Sequence, residues 1–117
     1  MSNPQKRKGD SAEREVESLL RDLLGIPGIR RALGAGRADD VGDIFGVPDT
    51  VVQVADWADI LAAIRTKLRD CPQQQINAGA RFGTNFIRMR GGRWIVTMTP
   101  EQFAQLWKAA NPVTEGE

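Results

Sequence analysis

The sequence lacks histidine and tyrosine, and its single cysteine is Cys71. Without histidine and tyrosine, the chain has no imidazole general base, no imidazole metal ligand and no tyrosine nucleophile. One cysteine cannot form an internal disulfide or a thiolate metal site, and without histidine it is not a papain-like nucleophile, so we expect Cys71 to be a packing residue. Any hydrolytic chemistry must therefore rest on carboxylates, lysine and a hard metal ion.

Long hydrophobic runs are also lacking, and the N-terminal MSNPQKRKGD has basic residues without an apolar segment behind them. This pattern argues against a transmembrane helix and a secretory signal, and we expect a soluble, cytoplasmic protein with no membrane partner. With 117 residues, 41% of them hydrophobic, the chain is long enough for one compact domain and too short for two. We predict a single domain over residues 1–117, with a basic N-terminal arm at 1–9 and a flexible tail at 111–117.

Charge is segregated along the chain, although the net charge is only +1. No aspartate or glutamate occurs from Cys71 to Pro100, whereas arginine does. Basic blocks bind phosphate when they share one face, but a charged run is also an ordinary solvated surface. The basic residues concerned are Lys6, Arg7, Lys8, Arg30, Arg31, Arg37, Arg81, Arg88, Arg90 and Arg93.

Apolar periodicity and turn residues predict an α/β domain with one mixed sheet of about five strands flanked by helices. Asp10 and Glu13 suit a capping box at the start of the first helix. The predicted helices are residues 10–24, a second from Trp57 that ends before Pro72, a short one at 73–81 and a last one, capped by Thr99, that runs to about Ala110. The predicted strands are residues 29–33, 41–45, 50–54 and the two arms of a hairpin around Gly91-Gly92.

The two faces of this hairpin are predicted to differ. Strand alternation places Ile87 and Met89 on one face and Phe86, Arg88 and Arg90 on the other. We expect one face to pack and the other to offer cations, with an ordinary antiparallel pair that is wet on one side as the alternative.

The residues with the most chemical content lie around Asp43. Asp43 and Gln53 are separated by a tight turn, so oxygen ligands on two adjacent strands can converge on one divalent metal ion. Residue 55 shares a strand face with Gln53, and a lysine there could activate a water molecule and stabilise charge on phosphate. The chain has Ala55 instead. Glu13 borders the apolar stripe of the first helix, where it can cap the helix, approach a metal ion, or do both.

Taken in order, several short motifs resemble the PD-(D/E)XK nuclease superfamily. They are Lys8-Gly9, Ala12-Glu13-Arg14-Glu15, Arg31, Gly34-Ala35-Gly36, Gly42-Asp43-Ile44 and Val51-Val52-Gln53-Val54-Ala55. The series covers residues 6–90, and none of the motifs is specific alone. The helix opening is most similar to Holliday junction resolvases of the archaeal type, and the short length to a phage version, which would act in a bacterial host cell.

The resemblance implies a restriction-endonuclease-like fold and a role for each matched residue. Asp43, Gln53, Glu13 and the backbone carbonyl of Val54 would hold magnesium, or manganese in its place, and Arg31 would lie near the scissile phosphate. The loop at 34–36 would touch the DNA backbone, with Ala35 replacing a frequent serine. The residues expected to contact DNA are Lys6, Arg7, Lys8, Arg14, Arg30, Arg31, Arg37, Arg88 and Arg90.

Ala55 stands where this superfamily has its catalytic lysine, and three explanations are open. The first is an introduced Lys→Ala change that inactivates an enzyme. The second is a natural loss of the lysine in a protein that is kept for binding. The third is that a lysine from elsewhere in the chain reaches the site, and Lys67 is the nearest candidate in sequence. We favour the introduced change, because the rest of the site is intact and a strand tolerates alanine. A buried strand alanine without any site is the remaining alternative, against which the ordered motif series stands.

The predicted function is a magnesium-dependent, structure-selective endodeoxyribonuclease that cleaves branched DNA such as Holliday junctions, with this chain inactive or strongly impaired through Ala55. A four-way junction needs two matched incisions, so a C2 homodimer is expected. Two alternatives are a non-catalytic DNA-binding module on the same fold, and a restriction or repair nuclease that acts on nicks or ends.

Overall fold

The computed structural model describes residues 4–32 and 40–113, with side chains from Lys8 onward, so residues 1–3 of the predicted arm and 114–117 of the predicted tail lie outside it. This part of the chain forms three helices and one five-stranded mixed sheet, which confirms the predicted α/β class. The helices are α1 (Pro4–Leu24), α2 (Ile60–Ala78) and α3 (Pro100–Ala110). The strands are β1 (Arg30–Arg31), β2 (Ile44–Phe45), β3 (Thr50–Ala55), β4 (Phe82–Arg88) and β5 (Trp94–Thr97).

The strands are ordered β1-β2-β3-β4-β5 across the sheet. Strands β3 and β4 are parallel and joined by α2, and each other neighbouring pair is antiparallel. Strand β3 is buried over most of its length, which is typical of a strand covered by helices on both faces. Its side chains alternate, so Val52 and Val54 face α1 whereas Gln53 and Ala55 face α2. The predicted site residues of β3 are therefore divided between the two faces of the sheet.

Helix α1 covers one face of the sheet with a stripe of buried residues. These are Ala12, Val16 and Leu20. The helix begins at Pro4 and not at residue 10, so the predicted arm at 1–9 is wrong from residue 4 onward. Proline suits the first turn of a helix because the N–H that it lacks has no helical partner there. Asp10 is therefore inside the helix, and the predicted capping box of Asp10 with Glu13 is wrong.

Helix α2 covers the other face and is longer than predicted. It continues through Pro72 to Ala78 and so includes most of the separate short helix expected at 73–81. An internal proline costs about 3 kcal/mol. Cys71 and Gln74, on either side of Pro72, are buried against the sheet, and this packing maintains the helix through the proline. Gly79 ends the helix in a left-handed conformation, at φ 64°.

Strands β1 and β2 are shorter than the predicted segments 29–33 and 41–45, with two residues each. Strand β3 is one residue longer than predicted and includes Ala55. The turn before β3 passes close to the loop before β1, because a Cβ atom on Gly46 would lie 2.7 Å from the carbonyl oxygen of Gly28. Only glycine permits this approach, which holds β1 and β2 together despite their short ladder.

Strands β4 and β5 form the predicted hairpin, with Gly91 and Gly92 in a short 3-10 turn at its tip. Ile87 and Met89 pack against residues of α2, and Phe86 packs on the side of α1. The predicted alternation along β4 is therefore correct, and both of its faces are covered by helices.

Helix α3 begins as predicted. Thr99 accepts a hydrogen bond from the Gln102 N–H, and the Gln102 side chain accepts one from the Thr99 N–H, with Pro100 at the first helical position. The helix ends at Ala110, also as predicted. None of the helices in the described part of the chain is long and apolar enough to cross a membrane.

Candidate functional site

Asp43 lies directly before β2, where β3 fixes its position. Its backbone N–H donates to the Val52 carbonyl at 2.8 Å, and its Oδ2 accepts from the Val54 N–H at 2.8 Å. The N–H and C=O groups of one strand residue point to the same side of the strand, so the Val54 carbonyl also points toward the side of β3 where Asp43 lies. Two of the predicted metal ligands, Asp43 and the Val54 carbonyl, are therefore brought together.

Glu13 projects from α1 toward the same edge of the sheet, where Arg31 of β1 binds it. Arg31 Nε donates to Glu13 Oε1 at 3.3 Å, and Arg31 Nη2 donates to Asp10 Oδ1 at 3.0 Å. The Arg31 backbone N–H donates to Glu17 Oε2 at 2.7 Å. Only 16% of the Arg31 side chain is exposed. Three acids of α1 thus hold Arg31 in place beside Glu13. The expected role of Arg31 near a scissile phosphate stays a prediction.

The Asp43 carboxylate acts on Glu13 by charge repulsion. Burial raises the pKa of Glu13, and the Asp43 carboxylate raises it further, against the opposing effect of the Arg31 guanidinium. Burial also raises the pKa of Asp43, while the hydrogen bond from Val54 and the positive charge of Lys67 lower it in part. The two acids are 30 positions apart in sequence. The charge of Asp43 acts on Glu13, whereas Lys67 and Asp40 are the charges that act on Asp43. A divalent cation between them would relieve that repulsion.

Gln53 lies on the other face of β3, in a buried network of amides. Its Nε2 donates to the Lys67 carbonyl at 2.9 Å and to Asn85 Oδ1 at 2.7 Å, and its Oε1 accepts from Gln74 Nε2 at 2.9 Å. Gln53, Gln74 and Asn85 are all buried. An amide oxygen accepts two hydrogen bonds, so one lone pair of Oε1 remains for a further partner. The role of Gln53 as a metal ligand stays a prediction, because protein groups account for its present orientation.

Ala55 is buried between β3 and α2, in contact with Ala63 and Ile87. Lys67 follows Ala63 by one helical turn, and its carbonyl is the one that Gln53 contacts. The Lys67 ammonium lies 5.8 Å from the centroid of the Trp57 ring, and its charge lowers the pKa of Asp43. A lysine from elsewhere in the chain is therefore present near Asp43, which is the third explanation for Ala55.

The described cations among the predicted DNA-binding residues form two groups. Lys8, Arg88 and Arg90 line one cleft at the C-terminal ends of β3 and β4, and Arg14, Arg30 and Arg31 line a shallow depression beside α1. The side chains of Lys6 and Arg7 lie outside the described residues, as do Arg37 and the loop at 34–36 with Ala35.

Arg88 is less available than the hairpin pattern predicts. Its Nη1 lies 3.3 Å from Asp56 Oδ2 and its Nη2 lies 3.7 Å from Glu15 Oε2. Lys8 Nζ lies 3.5 Å from Asp56 Oδ1, so one carboxylate is shared by two cations. Arg90 is exposed at the hairpin tip. Of these three cations, Arg90 and Lys8 offer more to a phosphate than Arg88 does.

Several contacts that define the site were missed at the level of sequence. Asp10, Glu13 and Glu17 recur at i, i+3 and i+7, a spacing that indicates one acidic stripe on a helix and could have identified the partners of Arg31. The pairing of Gln53 with Asn85 and Gln74 has no comparable local signal, because the three amides lie on β3, β4 and α2.

The residues around Asp43 fit a hard divalent ion in part. Carboxylate and carbonyl oxygens suit magnesium, which usually keeps several water ligands and binds through one or two carboxylates. Asp43, Glu13 and the Val54 carbonyl supply such a set, although Arg31 already neutralises Glu13. Within residues 8–32 and 40–113, no group of three or more aspartate, glutamate or cysteine side chains is arranged to hold a metal ion. Magnesium at this place would therefore need water, substrate phosphate or Gln53 to complete its coordination.

No relative of this chain is found by comparison: no protein-family model, no curated protein and no solved structure matches it. The resemblance to PD-(D/E)XK nucleases, with its restriction-endonuclease-like fold, therefore remains a prediction. It depends on the ordered motifs and on the geometry around Asp43.

Proposed function

We propose that this chain carries the active-site framework of a magnesium-dependent, structure-selective endodeoxyribonuclease that acts on branched DNA such as four-way junctions, with Ala55 in place of the catalytic lysine. The observation that supports this most strongly is the Asp43 carboxylate that the Val54 N–H holds in place, since burial and then the charge of Asp43 raise the pKa of Glu13. Two carboxylates that repel each other destabilise a fold, and a divalent cation between them converts the repulsion into binding energy.

Each residue of this framework has a distinct task. Asp43, Glu13 and the Val54 carbonyl would hold magnesium, which when bound polarises the phosphodiester and lowers the pKa of an attacking water. The Val54 N–H fixes Asp43 Oδ2 and hence the orientation of the carboxylate. Arg31 lies beside Glu13, where its guanidinium can donate to a phosphate oxygen. The chain thereby provides metal ligands and phosphate donors, but no ammonium on β3.

The missing ammonium determines what activity is expected from the chain as it stands. We expect little or no cleavage, because alanine neither activates water nor stabilises charge on phosphate. Any residual cleavage would depend on Lys67, whose charge acts on Asp43. Restoring lysine on the strand and removing it from the helix therefore separate the explanations for Ala55.

The test is cleavage of four-way junctions, flaps, nicked duplexes and linear duplexes in magnesium or manganese. Ala55→Lys is expected to raise junction cleavage about 10²–10⁴-fold, the usual contribution of general acid–base catalysis. Ala55→Met is the matched control, because its unbranched side chain has no charge. Asp43→Asn in the Ala55→Lys background should abolish the gain, and Lys67→Met should remove any residual activity of the parent chain.

Two outcomes would contradict the proposal. If folded Ala55→Lys protein leaves every DNA uncut, the site is not a nuclease. If the Ala55→Lys protein cuts nicked or linear DNA as fast as junctions, the enzyme is not selective for branches. A restriction or repair nuclease then replaces the junction resolvase as the proposed function.

A homodimer is part of this proposal because two strands of a junction must be cut symmetrically. Helix α3 exposes Phe103 and Trp107, and β5 is an edge strand with exposed Ile95 and Val96. An apolar sheet edge invites pairing with another chain. Analytical ultracentrifugation should show a dimer that Trp107→Glu converts to a monomer. A parent chain that is monomeric at micromolar concentration would contradict this.

A non-catalytic DNA-binding module is the second candidate function, and one observation favours it. Arg31 already serves as the cation for Glu13 and Asp10, and protein groups already bind both ends of the Gln53 amide. This reading requires salt-dependent DNA binding without any effect of magnesium on the melting temperature. Thermal unfolding in EDTA and in magnesium distinguishes it from the nuclease, which gains stability from the metal.

A further inference from the structure

Two adjoining clefts lie at the C-terminal ends of the parallel strands β3 and β4. Their volumes are about 390 and 590 Å³, and both are lined by Lys8, Asp56, Trp57 and Ala58. The crevice beyond the carboxyl ends of parallel strands is a usual place for ligands in α/β proteins. A third cleft, of about 340 Å³, lies beside Asp49 and has no lysine or arginine among its described lining residues. Of these three clefts, those beside Trp57 are the ones that combine a concave surface with positive charge. The depression lined by Arg14, Arg30 and Arg31 is smaller, at about 290 Å³.

The larger of these clefts has a composition that suits a nucleotide. Its lining contains three cations, Lys8, Arg88 and Arg90, and one carboxylate, Asp56. Trp57 is 40% exposed in the loop after β3. An accessible indole ring offers a flat surface to any base, and neighbouring cations can follow a phosphate backbone. Duplex DNA keeps its bases stacked inside the helix, so the indole selects for nucleotides that are unpaired.

The smaller cleft extends this surface along the end of β3. It is lined by Val54 and Ala55 as well as by Trp57, and Val54 is the residue whose N–H binds Asp43. The cleft therefore reaches the residue that orients Asp43, although Asp43 and Glu13 are not among its described lining residues. The Lys67 ammonium lies over one face of the Trp57 ring, 5.8 Å from its centroid, so a base would stack on the opposite face.

We propose that the cleft beside Trp57 binds an unpaired nucleotide of the DNA substrate, with its base stacked on the indole and the adjoining phosphate held by Lys8 and Arg90. This inference rests on the proposed function, because it takes DNA as the ligand, and it adds a reason for selectivity. Branch points expose unstacked bases, and the cleft offers such a base an indole surface. Intact duplex offers no base to Trp57 and is held less well.

The test compares binding of a short oligothymidylate with binding of the same backbone without bases. Fluorescence anisotropy in EDTA measures both affinities, so cleavage plays no part. The parent chain should prefer the oligothymidylate over the abasic strand by about 10- to 100-fold, the usual effect of base–aromatic stacking. Trp57→Ala should reduce that preference to about one, and Trp57→Phe should keep most of it. Ile76→Ala is the control, since Ile76 is an exposed apolar residue on α2 outside both clefts.

The outcomes separate this inference from the nuclease proposal. An unchanged preference in folded Trp57→Ala protein, or a parent chain that does not distinguish the two strands, overturns the stacking site. If either of these results is found while the Ala55→Lys protein still cleaves junctions, the stacking site alone is overturned and the nuclease proposal stands. A preference that depends on Trp57, together with no cleavage by Ala55→Lys, overturns the nuclease proposal and leaves a single-strand binding site.

Discussion

The two faces of β3 carry opposite kinds of polar chemistry. On the edge beside α1 and β2, Glu13 and Asp43 are ionisable and partly buried, the charge of Asp43 raises the pKa of Glu13, and Arg31 binds Glu13 but not Asp43. On the face beside α2, Gln53 and Asn85 are neutral, fully buried and hydrogen-bonded to one another. One strand thus separates an incomplete charge cluster from an amide network in which Gln53 and Asn85 are hydrogen-bonded and Gln74 Oε1 has no partner among the described residues.

This difference indicates which side stabilises the fold and which side is available for a ligand. Buried amides with hydrogen-bond partners stabilise a core and leave little for another molecule to bind. Buried carboxylates with raised pKa values reduce stability unless a cation joins them. We therefore expect changes on the amide side to affect stability with or without metal, and changes on the carboxylate side to affect stability in a metal-dependent way.

The largest effect on stability is expected from Asn85→Leu. The change removes the Asn85 oxygen that accepts from Gln53 Nε2 and the Asn85 Nδ2 group that donates to the Thr97 carbonyl. Both hydrogen bonds are lost at a buried position. We expect the free energy of unfolding to fall by about 2–4 kcal/mol, in EDTA and in magnesium alike. Urea denaturation measures it. Gln73→Leu, at an exposed position of α2, should change it by less than about 0.5 kcal/mol. A loss for Asn85→Leu that magnesium reverses would place the amides in the metal site.

A smaller, metal-dependent effect is expected from Arg31→Met. This change removes the guanidinium that binds Glu13 and Asp10 and leaves their charges without it. We expect a loss of about 1–2 kcal/mol in EDTA, since the pair is only partly buried. Magnesium should restore part of this loss by replacing the missing cation. Arg30→Met, at the exposed neighbouring position, should have a negligible effect. Equal losses with and without magnesium would show that Arg31 and the metal do not share Glu13.

A pH-dependent effect is expected from Asp43→Asn in EDTA. The pKa of Asp43 is raised in the folded protein above its unfolded value near 3.8. Its contribution to stability is therefore complete below the unfolded pKa and is lost as the pH rises through the folded pKa. Asparagine keeps an oxygen for the Val54 N–H and has no charge to bury. Asp43→Asn should thus be more stable than the parent chain at neutral pH, and this advantage should disappear in acid.

The smallest effect, with the opposite sign, is expected from Asp49→Asn. Hydrogen bonds from Arg81 lower the pKa of Asp49 in the folded protein. Its contribution to stability is therefore present above the unfolded pKa and is lost as the pH falls through the folded pKa. Asp49→Asn should be slightly less stable than the parent chain at neutral pH and equal to it in acid. Urea denaturation at both pH values measures both variants. The same sign for Asp43→Asn and Asp49→Asn would contradict the contrast between a repelled and a paired carboxylate.

Much of the fold could be predicted from local patterns, and the errors fall where packing overrides them. The apolar stripe of α1, the hairpin around Gly91-Gly92 and the Thr99 cap each have a periodicity or a turn residue within a few positions. The predicted end of α2 before Pro72 was wrong, because burial of Cys71 and Gln74 maintains the helix through the proline. A proline signal is local, and the packing that overcomes it is not.

The candidate site follows the same division. The residue types needed for metal chemistry and their order along the chain could be recognised without a structure, as could the absence of an ammonium at Ala55. The partners of Arg31 and the amide network of Gln53 could not, since each joins elements far apart in sequence. Lys67 was a candidate by sequence proximity alone, and the structure adds that its charge acts on Asp43.

The sequence by itself determined the inventory of this protein: no histidine or tyrosine, alternating α and β segments, and an ordered set of acids with alanine at residue 55. Only the tertiary structure decided that the charge of Asp43 acts on Glu13, while Gln53 binds Asn85, which lies 32 positions away. The physical reason is that α1 and α2 pack on opposite faces of β3. Adjacent residues of one strand therefore enter different environments, and local spacing carries no information about which helix covers which face.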